Sequence, residues 1–207
     1  LPVLEALRRE SDIPVTVDTV RADTARAALA AGADAINDIS AGLADPGLLP
    51  LAAERGCGLI LMHRQGTPQS MQDDPRYGDV VAEVAGHLAE RRRAAIAAGV
   101  APDRLALDPG IGFGKTLEHN LALLAGVPAL AATGYPVLIG ASRKSWITHL
   151  LGEDLTPAER DPLSAAAHAV AIAGGAAVIR VHDVVMGLRS ARVADAIVRA
   201  SSKGLVR

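Results

Sequence analysis

Residues 105–115 read Leu-Ala-Leu-Asp-Pro-Gly-Ile-Gly-Phe-Gly-Lys, a short apolar run that stops at a carboxylate and passes into a glycine-rich turn. Its length and the turn that follows predict a strand with Asp108 at its C-terminal end. Five further apolar runs end in the same way: 13–17 at Asp18, 35–36 at Asn37, 58–62 at His63, 137–141 at Ser142, and 176–179 at Arg180 with His182 beyond. The stretches between them are rich in Ala and Leu at helical spacing, so strand and helix alternate and the strands form a parallel sheet. A parallel sheet gathers its strand ends on one face, which turns scattered polar residues into neighbours. That is how a (β/α) barrel assembles an active site.

The chain has 207 residues, 50% of them hydrophobic, enough for one sizeable core, and no Pro/Gly/Ser-rich stretch or charge block divides it, so one domain over 1–207 is expected. A net charge of -2 with interspersed signs gives no footprint for nucleic acid or an anionic membrane. Arg91, Arg92 and Arg93, near Glu83 and Glu90, read as a solvated helix face. The single cysteine, Cys57, cannot form an internal disulfide and reads as a buried thiol in a reducing compartment. The longest apolar run, 169–179, carries two glycines and is too short to span a bilayer, which predicts a soluble protein.

Residues 1–10 read as a helix leading into the first strand, as though the chain opens inside a β/α repeat. A closed barrel needs eight strands and typically about 250 residues, so six strands imply two units preceding Leu1. The alternative is an open, doubly wound sheet, which usually carries a Gly-rich phosphate turn after its first strand. Here that strand ends Val17-Asp18-Thr19, without glycine.

Two stretches break the alternation. Residues 64–78, with two prolines, two glycines and no apolar period, lie where a lid over the sheet end would sit; residues 152–162 read as a charged surface connector. The glycine-rich turn is not a phosphate cradle, because the position six before Lys115 is Pro109, and the glycines at 110, 112 and 114 miss the dinucleotide spacing. They let the backbone fold tightly behind Asp108 and present Phe113 to a flat ligand; a plain turn with Asp108 as a helix cap is the simpler alternative. Arg180 and His182 share a strand face, and two donors on one face suit an anion. Lys144 is expected to start a helix whose amides add to the positive field. His87, His119, His149 and His168 fall inside helical stretches and read as surface or packing residues, while His63 reads as a hydrogen-bonded core residue and no zinc site is implied.

Six segments, VDT at 17–19, NDIS at 37–40, LMHRQGTPQSMQ at 61–72, LDPGIGFGK at 107–115, GASRKS at 140–145 and RVHDV at 180–184, together resemble the dihydropteroate synthase family in order and spacing along the whole chain. The resemblance implies a TIM (β/α)8 barrel of which the last six units are present, a pterin-binding domain lacking its N-terminal part. It implies condensation of 6-hydroxymethyl-7,8-dihydropterin pyrophosphate with p-aminobenzoate in folate biosynthesis. The pterin would be held by Asp18, Asn37, Asp108 and Lys144 between Met62 and Phe113. p-Aminobenzoate would lie by Ser145, Lys144 and Phe113, where sulfonamides bind in its place, and pyrophosphate by Arg180 and His182. Lys144, Arg180 and His182 would be the catalytic residues. The resemblance further implies Mg2+ as cofactor, held by an asparagine of the missing part and by no residue of this chain, a homodimer formed through the late helices, and a cytoplasmic location. With that part absent, turnover by these 207 residues alone would be slow or nil. Two other classes share the pterin edge: corrinoid-linked pterin methyltransferases, which need neither the Arg180–His182 pair nor the SRKS segment, and a non-catalytic pterin-binding fragment or paralogue.

Overall fold

The computed structural model describes residues 1–67 and 70–202, so Pro68 and Gln69 of the expected lid lie outside the described residues. In chain order the elements are α1 (Pro2–Glu10), β1 (Thr16–Asp18), α2 (Ala22–Ala30), β2 (Ala35–Asp38), α3 (Leu48–Arg55), β3 (Gly58–Met62), α4 (Val80–Ala97), β4 (Leu105–Asp108), α5 (Leu117–Ala125), α6 (Val127–Ala131), β5 (Leu138–Ile139), α7 (Trp146–Leu151), α8 (Pro157–Ala173), β6 (Val178–Ile179) and α9 (Val184–Ser202). Every strand pair is parallel. The residues gather into two compact units, 1–64 with 84–108, and 65–83 with 109–207.

In the first unit the strands lie in the order β1-β2-β3-β4. The register sets Asp18 beside Asn37 and Met62 beside Asp108. Ile36, Leu59, Leu61, Leu105 and Leu107 are buried from the strands, with Leu48, Leu51, Val84 and Leu88 from the helices. β1 is shorter than the apolar run 13–17 predicts. Pro14 has no N–H to give to a ladder, Val15 donates its own to Asp34 Oδ2 at 2.7 Å, and Ile13 is exposed. The arginine triplet is not a uniformly solvated face either. Arg91 is half-buried and its Nε donates to Ala41 O at 2.8 Å. Cys57 is buried, and burial pushes its thiol pKa up.

In the second unit β5 and β6 pair over two residues each. Ile111, Leu123, Val127, Leu130, Ile139, Trp146 and Ile147 are buried around them. Both strands are cut short of their apolar runs; the Ala141 N–H, which a longer β5 would direct to a neighbour, goes to His168 Nε2 at 3.3 Å. The expected connector over 152–162 is a loop only to Thr156. Thr156 and Glu159 form a reciprocal capping box, Pro157 occupies the first turn, and α8 runs from there. Pro162 lies in the second turn, where it has no N–H to give to Ala158 O, and α8 continues through it.

Candidate active site

In the first unit the polar residues stand where the strand ladder puts them. Asp18 ends β1, exposed, and its Oδ2 accepts from Asn37 Nδ2 at 2.9 Å. A carboxylate only accepts, so the amide nitrogen faces Asp18 and Asn37 Oδ1 is the free end. That oxygen is buried with no hydrogen-bond partner among the described residues, a cost of about 1–3 kcal/mol unless a ligand donor supplies one. Asp108 ends β4 with 1% of its surface exposed, and Met62 beside it is as deeply buried. Asp108 is a strand-end residue, not a helix cap; the cap of the next helix is Thr116, in a capping box with His119. His63, buried, stacks edge-on against His87 with ring centroids 4.8 Å apart. Asp38, also buried, is spent on its own turn, accepting from Ser40 N, Ser40 Oγ and Gly42 N.

In the second unit the polar residues sit on loops. Gly110, Gly112 and Gly114 all have positive φ, and at Gly112 the need is also steric, since a Cβ there would lie 2.8 Å from Lys144 Cδ. Lys144 Nζ crosses that gap to donate to Ile111 O and stands 4.4 Å over the Phe113 ring. Lys115 is turned back on its own loop, donating to Phe113 O at 2.9 Å, unlike a phosphate-gripping lysine. The lid segment is tied to the same loop through Gln72 Nε2 to Gly112 O, 2.6 Å, and Tyr77 Oη to Gly114 O, 2.9 Å. Burial, with Glu83 beside it, pushes the Tyr77 pKa up to about 12. Ser145 lines a cavity of about 270 Å3 together with Gly112, Lys115, Thr116, Gln72 and Trp146.

Arg180 and His182 run along the exit of β5. The Arg180 guanidinium packs against Gly140, with Nη2 3.1 Å from where a Cβ would stand, and His182 meets Ser142 Oγ through its Nδ1 at 2.9 Å and its backbone N at 3.2 Å. The helix expected to begin at Lys144 begins at Trp146 and has only six residues, too short for its dipole to add much to the field at Lys144. What holds this segment is α8. Arg143, at φ 59°, forms a bidentate pair with Asp161, both bonds 2.7 Å, and the guanidinium holds the Asp161 carboxyl below the usual carboxylate range. His168, fully buried, has its pKa lowered to about 4, chiefly because burial disfavours the charged ring and secondarily because of Lys144. Sequence reading missed Arg143 and Asp161; the Thr156–Glu159 capping box was the signal that would have shown 161, 164 and 168 on one helix face.

Parallel strands that alternate with helices and carry polar residues at or just beyond their C-terminal ends define an α/β enzyme of the barrel class. The pterin binding enzyme family model matches residues 1–182. The dihydropteroate synthase of Synechocystis is 45% identical over 199 residues, 96% of this chain and 68% of that protein. The crystal structure of the Stenotrophomonas maltophilia enzyme superposes with a TM-score of 0.89 at 46% identity, covering 95% of this chain and 73% of the other. That of the Xanthomonas albilineans enzyme in complex with 7,8-dihydropteroate gives 0.87 at 43%, over 95% and 71%. The fold is the TIM barrel of these structures. The chain belongs to the dihydropteroate synthase family of pterin binding enzymes.

Proposed function

We propose that the chain is a transferase that joins 6-hydroxymethyl-7,8-dihydropterin pyrophosphate to p-aminobenzoate, giving 7,8-dihydropteroate and pyrophosphate. The observation that carries this is the acceptor set at the ends of β1, β2 and β4: Asp18, the buried Asn37 Oδ1 and the buried Asp108. A pterin offers adjacent N–H donors along one edge, and a buried carboxylate accepts two of them. Met62 and Phe113 supply apolar walls, and Lys144 donates to the acceptor side of the ring. Pyrophosphate leaves from the methylene with the electron pair of the C–O bond, its growing charge met by Arg180 and His182. The amine of p-aminobenzoate forms the new N–C bond and releases a proton, so no protein nucleophile is needed. The cavity beside Ser145 suits its ring and carboxylate, and a sulfonamide would compete there.

Mg2+ belongs to the reading as a charge-neutralising companion of the pyrophosphate. Among the described residues no three His, Cys, Asp or Glu side chains converge to hold a metal, so no residue is assigned to it and no step is routed through it. A homodimer is supported by an apolar groove of about 420 Å3 on α5, α7 and α8, where Leu121, Leu150, Leu151 and Val170 are exposed. A cytoplasmic location fits the unpaired Cys57, and no described helix is long and apolar enough to cross a membrane. The test is dihydropteroate formation from the two substrates with Mg2+. Slow product formation is expected; saturable pterin binding without any product would instead favour a non-catalytic pterin binder.

A further inference from the structure

α8 grips the 141–144 segment on both sides of Ser142. Arg143 donates its backbone N–H to Ser164 Oγ at 3.1 Å, accepts at its carbonyl from Arg160 Nη1 at 2.9 Å, and pairs its guanidinium with Asp161. Ser164 Oγ donates to Arg160 O at 2.6 Å, which leaves its lone pairs for the Arg143 amide. One helical turn on, His168 Nε2 accepts from Ala141 N. Residues 161, 164 and 168 are spaced three and four apart and so share one face of α8. Asp161, Ser164 and His168 are all buried. Arg143 has a left-handed backbone without being glycine, a conformation that persists only where the surroundings over-determine it. Here every polar group of that residue is held by one helix.

We propose that Asp161, Ser164 and His168 are positioning residues: they fix the 141–144 loop so that Ser142 holds His182 and Lys144 is presented over Phe113. The ladder touches neither substrate. It acts through Lys144 and His182, and so rests on the reading that those two residues serve the pterin pyrophosphate. The left-handed turn at Arg143 redirects the chain leaving β5 just before Lys144, and α8 sets where that turn points. His168 takes part as a neutral acceptor, since a charged ring has no lone pair for the Ala141 amide.

The test is a double-mutant cycle on the full chain, reading kcat/KM for dihydropteroate formation. Asp161→Asn should lower it about 10-fold, within the range of coupled neighbours, and Asp161→Glu, which keeps the carboxylate, should recover most of the loss. In a Lys144→Ala background the same Asp161→Asn change should cost clearly less, because one of the two residues it positions is gone and only the route through His182 remains. An equal loss in both backgrounds would overturn the proposal, as a merely structural role acts in both. Ser164→Ala, a milder change, serves if Asp161→Asn folds poorly. A second readout needs no turnover: Ser164→Ala should move the Lys144 amide and the His182 ring-nitrogen resonances, and unmoved signals would overturn the proposal. Absence of product from the unaltered chain would defeat the functional reading alone and leave the resonances to decide the positioning.

Discussion

The two units place their functional residues by different means. In the first, Asp18 and Asp108 are the last residues of hydrogen-bonded strands and Asn37 the last but one of β2, and the register that pairs Asp18 with Asn37 and Met62 with Asp108 is itself the positioning device. In the second, β5 and β6 are two residues long, and Lys144, Arg180 and His182 stand on loops whose geometry is imposed by Gly112, Gly140, Ser142 and the polar face of α8. The helices follow suit only in part. The two capping boxes among the described helices, those of α5 and α8, both lie in the second unit, but the N-caps of α6 and α7 there have no side-chain hydrogen bond, like those of α1, α2 and α3 in the first. A ladder positions residues through backbone hydrogen bonds that any residue except proline can make. A tethered loop depends on particular side chains.

If that contrast is right, a change at a ladder-placed residue removes chemistry without disturbing structure. Asp108→Asn sets an amide donor against the donors of a pterin edge and forfeits a charged hydrogen bond, roughly 1.5–3 kcal/mol, or about 10- to 150-fold in affinity. Titration of a pterin into both proteins reads this, and the denaturant midpoint should barely move. Equal affinities would remove Asp108 from the site. A collapse in stability with little change in affinity would break the comparison itself, making Asp108 part of what holds β4.

The same contrast explains what was legible in the sequence. Strand-end residues are visible because an apolar run that stops at a polar side chain is a local pattern, and Asp18, Asn37 and Asp108 all follow it. Arg143 and Asp161 were not, because an arginine beside a lysine looks like surface charge until a partner 18 residues away in sequence is known. Composition misled over 152–162, where Gly, Asp and two prolines suggested a loop although Thr-Pro-Ala-Glu at 156–159 is a helix start. Arg91 was misread for the same reason as Arg143: its partner is a carbonyl, that of Ala41, which no charge pattern reveals.

The tethered unit should also be the more sensitive to mild acid. The His168 pKa falls from its ordinary 6.5 to about 4 on burial, so the folded state stays neutral where the unfolded chain takes up a proton. Its effect on stability is absent above about pH 6.5 and grows as pH falls toward 4, reaching about 2 kcal/mol between pH 7 and pH 5. Urea unfolding at those two pH values measures it, with His168→Gln as the comparison, since Gln can accept from Ala141 N but does not titrate. The wild-type chain should lose about 2 kcal/mol more than the variant over that interval. Equal losses would mean that the ring is not held neutral.

The smallest effect expected tests whether the start of α8 matters beyond its own stability. Thr156 Oγ1 accepts from Glu159 N at 3.4 Å, and Glu159 Oε2 accepts from Thr156 N at 2.8 Å. Thr156→Ala removes one side of that exchange, for about 1 kcal/mol, and loosens the turn that carries Arg160 and Asp161. Since those residues hold Arg143, the change should lower kcat/KM for dihydropteroate formation a few-fold as well as lowering the denaturant midpoint, and Thr156→Ser should restore both. The matched control is Thr133→Ala, which removes the hydrogen bond that Thr133 Oγ1 donates to Leu130 O at the end of α6, for about 1 kcal/mol, but leaves the α8 contacts to Arg143 intact. It should cost similar stability and leave Lys144 in place. If the two variants are destabilised alike and their kinetics suffer alike, the effect on turnover is general softening of the unit, and the distinction drawn between a residue placed by a ladder and one placed by its tethers loses its functional meaning.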